Sequence, residues 1–440
     1  MTGLTVGKIA EITQGNLFGG GEDRAVTGAV IDSRKAAPGF MFCALPGERV
    51  DGHDYIATAL AAGASCALAA RVPEGVTGSV IVVPDVQRAM ALLAAHCRAQ
   101  FTGPVVGIVG SSGKTTTKEM CACVLAEHYN TLRTEGNLNN ELGVPLTLFR
   151  IDSGTQAAVV ELGISDFGEM HRLGAMARPD IAVYTLIGRS HLNALHDLDG
   201  VLKAKTELLD EMSPDALVIV NGDDAKLATL TSRQRLIKYG IGESNDVRAE
   251  NVRLADGVSF DVVRGERRFT VSVNAFGRQL ISAALAAACV GMELGLTDVQ
   301  IAAGVAKYAP VGRRTSVIRT GSITIIDDCY NSNPDSANLA IDSASDLGGR
   351  LVCILGDMLN LGPESAAMHR EVGERASSHG ALLLTAGEES RVMGGTHFDT
   401  RDELIAALPE HIRPGDTILV KASHAMGFEA VTDALKELFK

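Results

Sequence analysis

The chain of 440 residues contains no tryptophan, and aromatic residues make up only 4% of it. A stacking platform for single strands or sugars needs many aromatic faces, so that class of protein is disfavoured from the start. Positive charge is also short: 40 Lys and Arg stand against 53 Asp and Glu, a net charge of −13. A broad nucleic-acid footprint needs clustered cations, so nucleic acid is not an expected partner, and only local basic pockets stay open. No run of about 18 uncharged apolar residues occurs, which argues against membrane insertion. The opening MTGLTVGKIAEITQG lacks the basic, apolar and small-residue order of a secretory leader, so a cytoplasmic protein is expected. The eight cysteines, Cys43, Cys66, Cys97, Cys121, Cys123, Cys289, Cys329 and Cys353, form no CxxC pair and no zinc-like Cys/His spacing. Most sit among apolar residues, where a reduced, buried thiol is the expected state.

What is present is ordinary globular material, 46% hydrophobic and 21% charged. A single core rarely grows past roughly 250–300 residues, so two or three domains are expected. Three blocks are legible. In residues 1–103, short apolar runs at Phe40–Leu45, Ala67–Ala70 and Val80–Val83 alternate with Ala-rich helical patterns at 54–63 and 86–99. This predicts a small α/β domain, ended by the turn Thr102-Gly103-Pro104. Residues 104–310 open with VVGIVG (105–110), and further apolar runs follow at Ala157–Val160, Ile181–Ile187 and Leu217–Val220. Helix-length spacers between them predict βαβ units and a mostly parallel sheet. Alternating residues at 246–273, around Asp256-Gly257 and Arg264-Gly265, predict appended β-hairpins, and an Ala-rich helix is expected at 279–294. Residues 311–440 carry ITIIDD, LVCILGD, ALLLTAG and DTILVKAS, each strand-like and ending in small or acidic residues. That is a Rossmann-like layout, in which ligands meet the carboxyl ends of strands.

The sharpest motif is Gly110-Ser111-Ser112-Gly113-Lys114-Thr115-Thr116, after a strand run and opening a helix pattern. Such a loop turns backbone N–H groups toward a phosphate chain, and the helix N-terminus adds positive potential. Lys114 would reach the outer phosphates and the Thr115 hydroxyl would hold Mg²⁺. The spacing is shorter than the common P-loop, since position 108 is Ile rather than Gly. Glu161 ends the apolar run VVELG, and a strand-end carboxylate facing a phosphate loop commonly holds Mg²⁺. A surface carboxylate is the plain structural alternative.

This loop, together with NLNNELGVPLTL (137–148), DDCYNSNPDS (327–336), LGDMLNLG (355–362) and DSRKAAPGFMFCALPGERVDGHDYIATALAAGA (32–64), resembles the Mur ligase family over nearly the whole chain. The resemblance implies a three-domain α/β architecture with a P-loop ATPase-like central domain. It implies ATP-dependent ligation, with D-alanyl-D-alanine added to a UDP-muramoyl-tripeptide through an acyl phosphate. A Mur-like ligase acting on another carboxylate and amine is the alternative, and a non-catalytic nucleotide-binding protein is a third reading. Two Mg²⁺ ions are implied, one on Thr115 and Glu161 and a second on His191 and a lysine carbamylated by CO₂. The family spacing of fourteen from the His lands on Lys205, with Lys203 nearby. Arg313 is implied to reach the phosphates, and Asn140, Asp328 and Asn331 to contact the nucleotide. Ser33, Arg34, Asp51, His53, Asn333, Lys421 and Ser423 are implied on the substrate side, and a monomer is expected. The chain departs from the family pattern at Asn193, at Leu195-His196-Asp197, at Gln279, Leu280 and Ala283 and at Ala422 and His424.

Overall fold

The computed structural model describes every residue except Thr2, Glu48, Arg49, Ala255 and Asp256. The first sheet places Asn16–Phe18, Val80–Val82, Cys66–Ala69, Phe40–Cys43 and Gly28–Val30 side by side. The first pair is antiparallel and the others are parallel. Every residue of Cys66–Ala69 is buried. A parallel strand covered on both faces reads as a continuous apolar run rather than an alternating one. The helix Val86–Gln100 follows, started by Asp85, whose side chain accepts from the Arg88 N–H at 3.0 Å.

Among the described residues the central sheet has nine strands. Val105–Val109 is flanked in parallel by Ala157–Glu161 and Ile181–Tyr184, so the phosphate-loop strand lies inside the sheet with all five residues buried. Beyond Ile181–Tyr184 the sheet continues through Leu217–Asn221, Arg235–Gly240 and Val247–Leu254, all parallel. It ends in the antiparallel strands Val258–Arg264 and Arg267–Val273. Gly265, at φ +57°, turns the last hairpin; the other expected turn, at Asp256, lies outside the described residues. The run Ile181–Ile187 was expected as one strand but pairs only to Tyr184. Residues beyond it peel away to brace the phosphate loop: the Ser111 N–H donates to the Leu186 carbonyl at 2.7 Å. The Ala-rich helix Gln279–Glu293 packs against Lys114–Leu125, and Asp298–Ala306 packs beside them. A Cβ at Gly304 would lie 2.4 Å from the Val124 Cα, so this glycine permits the closest helix approach there.

The third sheet runs Ser316–Arg319, Thr324–Asp327, Asp416–Lys421, Arg350–Gly356, Leu382–Ala386 and Thr396–Phe398. All are parallel except the first, an antiparallel edge. A short connector, Pro310-Val311-Gly312, leads into it; Val311 is exposed and Gly312 has φ +66°. Six of the cysteines are buried and all eight are free. Burial pushes the Cys66 and Cys353 thiols up to about 12, so they stay protonated and inert. Among the described residues no helix is long and apolar enough to cross a membrane.

Candidate active site

The phosphate loop joins the strand Val105–Val109 to the helix Lys114–Leu125. Two of its glycines are forced. Gly113 stands at φ +80°, and a Cβ at Gly110 would lie 2.0 Å from the Thr185 hydroxyl. Thr185 in turn donates to the Ser112 carbonyl at 2.6 Å, and the Ser111 hydroxyl to the Gly188 carbonyl at 2.9 Å. The loop is therefore pinned from the neighbouring strand. Lys114 arches back over it and donates to the Gly110 carbonyl at 2.7 Å. Burial lowers the Lys114 ammonium's pKa, Glu161 opposes that shift and Arg314 adds to it.

Glu161 is buried at the end of its strand. One carboxylate oxygen accepts from the Thr115 hydroxyl at 3.0 Å, the other from the Asn139 amide at 2.8 Å. The buried ammonium of Lys118 lies 3.7 Å away and also pairs with Glu119 at 3.1 Å. Thr115 and Glu161 thus meet, and hard oxygen donors of this kind suit Mg²⁺. Asn139 and Lys118 were not singled out from the sequence. Asn140, which was, caps a turn instead: its side chain accepts from the Gly143 N–H at 2.9 Å.

His191 and Lys205 approach the same loop from the next segment. His191 begins a short helix in the left-handed conformation, at φ 55°. Burial first, then Lys205 and Lys114, lower its pKa to about 4, so the imidazole is neutral near pH 7 with a lone pair to give. Lys205 is 1% exposed. Burial lowers its pKa well below the usual ammonium range, and Lys114 adds to that shift. Lys203 turns elsewhere, its ammonium 5.9 Å from the centre of the Phe167 ring.

The third sheet contributes its strand ends. Lys421 donates to Asp328 at 2.6 Å and to the Asn331 carbonyl at 2.9 Å. The Ser423 hydroxyl accepts from the Leu359 N–H at 2.9 Å. These residues tie three loops together, leaving the Asn331 side chain exposed. Asn333 caps the helix Pro334–Ser345, and its amide donates to the Ser112 hydroxyl at 3.0 Å, bridging the third sheet's unit to the phosphate loop. Arg313 points away from that loop: it is held by Asp327 at 2.9 Å and Asp433 at 3.1 Å. The next residue, Arg314, lies over the Tyr330 ring, 3.6 Å from its centre. Gln279 donates to Thr315 at 3.2 Å, so this departure from the family pattern falls at the contact between the two units.

In the first unit, Arg34 pairs with Asp32 at 2.8 Å and is 87% exposed. Hydrogen bonds from the Arg34 side chain and backbone lower the Asp32 carboxyl to about 2. Ser33 opens the short turn that Asp32 caps. His53 is buried between Asp51, 2.6 Å from its Nδ1, and the Ala70 N–H, which donates to its Nε2 at 2.9 Å. Both ring nitrogens are therefore engaged, and Asp51 also holds Arg71 at 2.7 Å. His53 fastens the loop to a strand end, whereas Arg34, though paired with Asp32, stays exposed.

A pinned phosphate loop, a buried acid at its mouth and a second unit bridged onto it define a nucleotide-dependent enzyme. Three family models match the chain in order: Mur ligase family catalytic domain at residues 25–98, Mur ligase middle domain at 108–291, and Mur ligase glutamate ligase domain at 313–424. The chain is 34% identical to the UDP-N-acetylmuramoyl-tripeptide--D-alanyl-D-alanine ligase of Escherichia coli, covering 99% of both chains. The Bacillus subtilis protein of the same name is also 34% identical, with 98% of both covered. A crystal structure of MurF from Acinetobacter baumannii superposes with a TM-score of 0.91 at 29% identity, over 98% of both chains. MurF ligase from Thermotoga maritima in complex with ADP gives 0.84 at 27% identity, over 94% of this chain and 97% of that one. The chain belongs to the Mur ligase family, and it is an ATP-dependent peptide ligase.

Proposed function

We propose that the chain adds D-alanyl-D-alanine to UDP-N-acetylmuramoyl-tripeptide, as a monomer in the cytoplasm, with ATP as the activating substrate. The observation that carries this reading is the convergence of the pinned phosphate loop, Glu161, His191 and Lys205 in one place, in a chain matched end to end by relatives of that name. A free carboxylate is a poor electrophile. Transfer of the γ-phosphoryl group of ATP to it gives an acyl phosphate and ADP. The dipeptide amine then adds to the acyl carbon, the tetrahedral intermediate expels phosphate, and the amine proton is lost as the amide forms. Catalysis of this kind is mostly alignment and charge stabilisation.

Lys114 supplies a cation that swings from the loop carbonyls to the transferring phosphoryl group. Asn333 and the helix N-terminus behind it add neutral donors from the opposite side. Thr115 and Glu161 would hold one Mg²⁺, and neutral His191 with a carbamate on Lys205 would hold a second. Bound there, Mg²⁺ supplies charge neutralisation of the phosphates and carboxylate. Burial favours the neutral amine of Lys205. That form adds to CO₂, making an N–C bond and releasing a proton, and the product is an anionic oxygen donor in place of a buried cation. Arg34, exposed in the first unit, is suited to the diphosphate or carboxylates of the UDP-linked substrate.

Phosphate release is the test, measured with ATP, Mg²⁺, bicarbonate, the muramoyl tripeptide and D-alanyl-D-alanine, omitting each in turn. Release that needs both substrates, with a product heavier by one dipeptide, is expected. Tight ATP binding without such release would assign the site to another acid and amine. A Lys205→Ala variant should lose activity by at least about 100-fold; full activity would remove the carbamate from the mechanism.

A further inference from the structure

We propose that Arg189 is a positioning residue: it latches the third unit onto the phosphate loop and thereby sets nucleotide affinity. Arg189 belongs to the central unit, in the segment that leads to His191. Its guanidinium reaches across to two acids of the third unit. Nη2 donates to Asp335 at 2.7 Å and to Glu371 at 2.8 Å, while Nη1 takes the other oxygen of Glu371. The backbone N–H of Arg189 donates to the second oxygen of Asp335 at 2.7 Å. Asn338 holds Glu371 in place at 2.9 Å. A Cβ at position 188 would lie 2.7 Å from that Asp335 oxygen, so Gly188 leaves the room the acid needs.

Asp335 lies in the first turn of Pro334–Ser345, the helix whose cap Asn333 touches Ser112. The helix terminus is thus held at two points, by Arg189 on one side and by the phosphate loop on the other. Arg189 touches no reacting group in this arrangement; it acts by keeping the helix N-terminus where a γ-phosphate would sit. A guanidinium matched to two carboxylates is geometrically demanding, so Lys should replace it only in part. The side chains are 23%, 29% and 44% exposed, so salt should weaken the latch.

The latch rests on the ligase reading only for its kinetic arm. Small-angle scattering and direct ADP binding on the full chain, with Arg189→Met, Arg189→Lys and Glu371→Gln, need no turnover. Without ligands, the wild type in low salt should be compact and Arg189→Met expanded, with added salt moving the wild type toward the variant. ADP affinity and the KM for ATP should weaken about 10-fold in Arg189→Met, which is ~1.4 kcal/mol, with kcat at saturating ATP held within about twofold. Arg189→Lys should fall between, and Glu371→Gln should reproduce a smaller shift at a half-exposed position that leaves the fold intact. Scattering of Arg189→Met that superposes on the wild type would overturn the latch, as would expansion with unchanged ADP affinity or a loss confined to kcat. Expansion and weaker ADP binding in a protein that fails to ligate the muramoyl substrates would leave the latch standing and remove the substrate assignment instead.

Discussion

His191 shows how surroundings decide a charge. Its pKa falls from 6.5 to about 4 in the fold, burial being the main cause. Between those values the unfolded chain binds the proton that the folded chain refuses. The stability linked to this residue is therefore complete above about pH 6.5 and is lost as pH falls toward 4. Thermal melts of a His191→Gln variant should lose less stability than the wild type between pH 7 and 4.5; parallel losses would mean the histidine is protonated in the fold. The paired arginines 313 and 314 make a second residue-scale prediction. Arg313 holds the buried Asp327, so Arg313→Met should cost about 1–3 kcal/mol of stability in denaturant melts. Arg314→Met should change ATP affinity more than stability. Adjacent like residues are where a sequence is hardest to read. Asn139 and Asn140 sit in one turn, and no periodicity states which side chain meets Glu161. The same ambiguity separates Arg313 from Arg314. The preference for Lys205 over Lys203 came from the spacing of fourteen that the family resemblance implies, not from helix periodicity.

At the scale of elements, buried parallel strands announce themselves because both faces are covered. The runs at Ala157–Val160 and Leu217–Val220, and the four of the third block, each appear as strands. The short edge strands Thr131–Arg133, Thr396–Phe398 and Asn16–Phe18 carry exposed polar residues, so they leave no apolar run to find. Ser316–Arg319 is missed for the same reason: none of its residues is buried. The phosphate loop was legible as a site because its glycines serve backbone geometry. The cross-unit contacts of Asn333 and Arg189 were not, since their partners lie far along the chain. Helix packing offers a sharp test. Gly304→Ala would drive a Cβ into the backbone of Val124, which cannot yield as a side-chain tip can. It should lower stability by about 1–3 kcal/mol, read as a shift in the denaturation midpoint; a neutral result would mean the two helices can separate freely.

For the whole molecule, what counts is how the three larger sheets are joined. One buried apolar cluster includes residues of all three units, Leu192 and Leu195 of the second and Met358 and Leu361 of the third among them, and polar contacts add to the approach of the third unit to the second: Asn333 to Ser112, Arg189 to Asp335 and Glu371, Arg278 to Asp346, and Gln279 to Thr315. Polar contacts of this kind can be made and broken within a catalytic cycle. The short connector at Pro310–Gly312 has a consequence for how strong these contacts need to be. Arg313 is already fastened to the third unit, so the swivel is confined to the few residues before it. A short tether holds its two ends at an effective concentration in the millimolar range or above. Contacts too weak to join two separate proteins can then keep the molecule closed for much of the time. The same leash lets go without losing its partner, so product can depart and the next nucleotide can enter without a search.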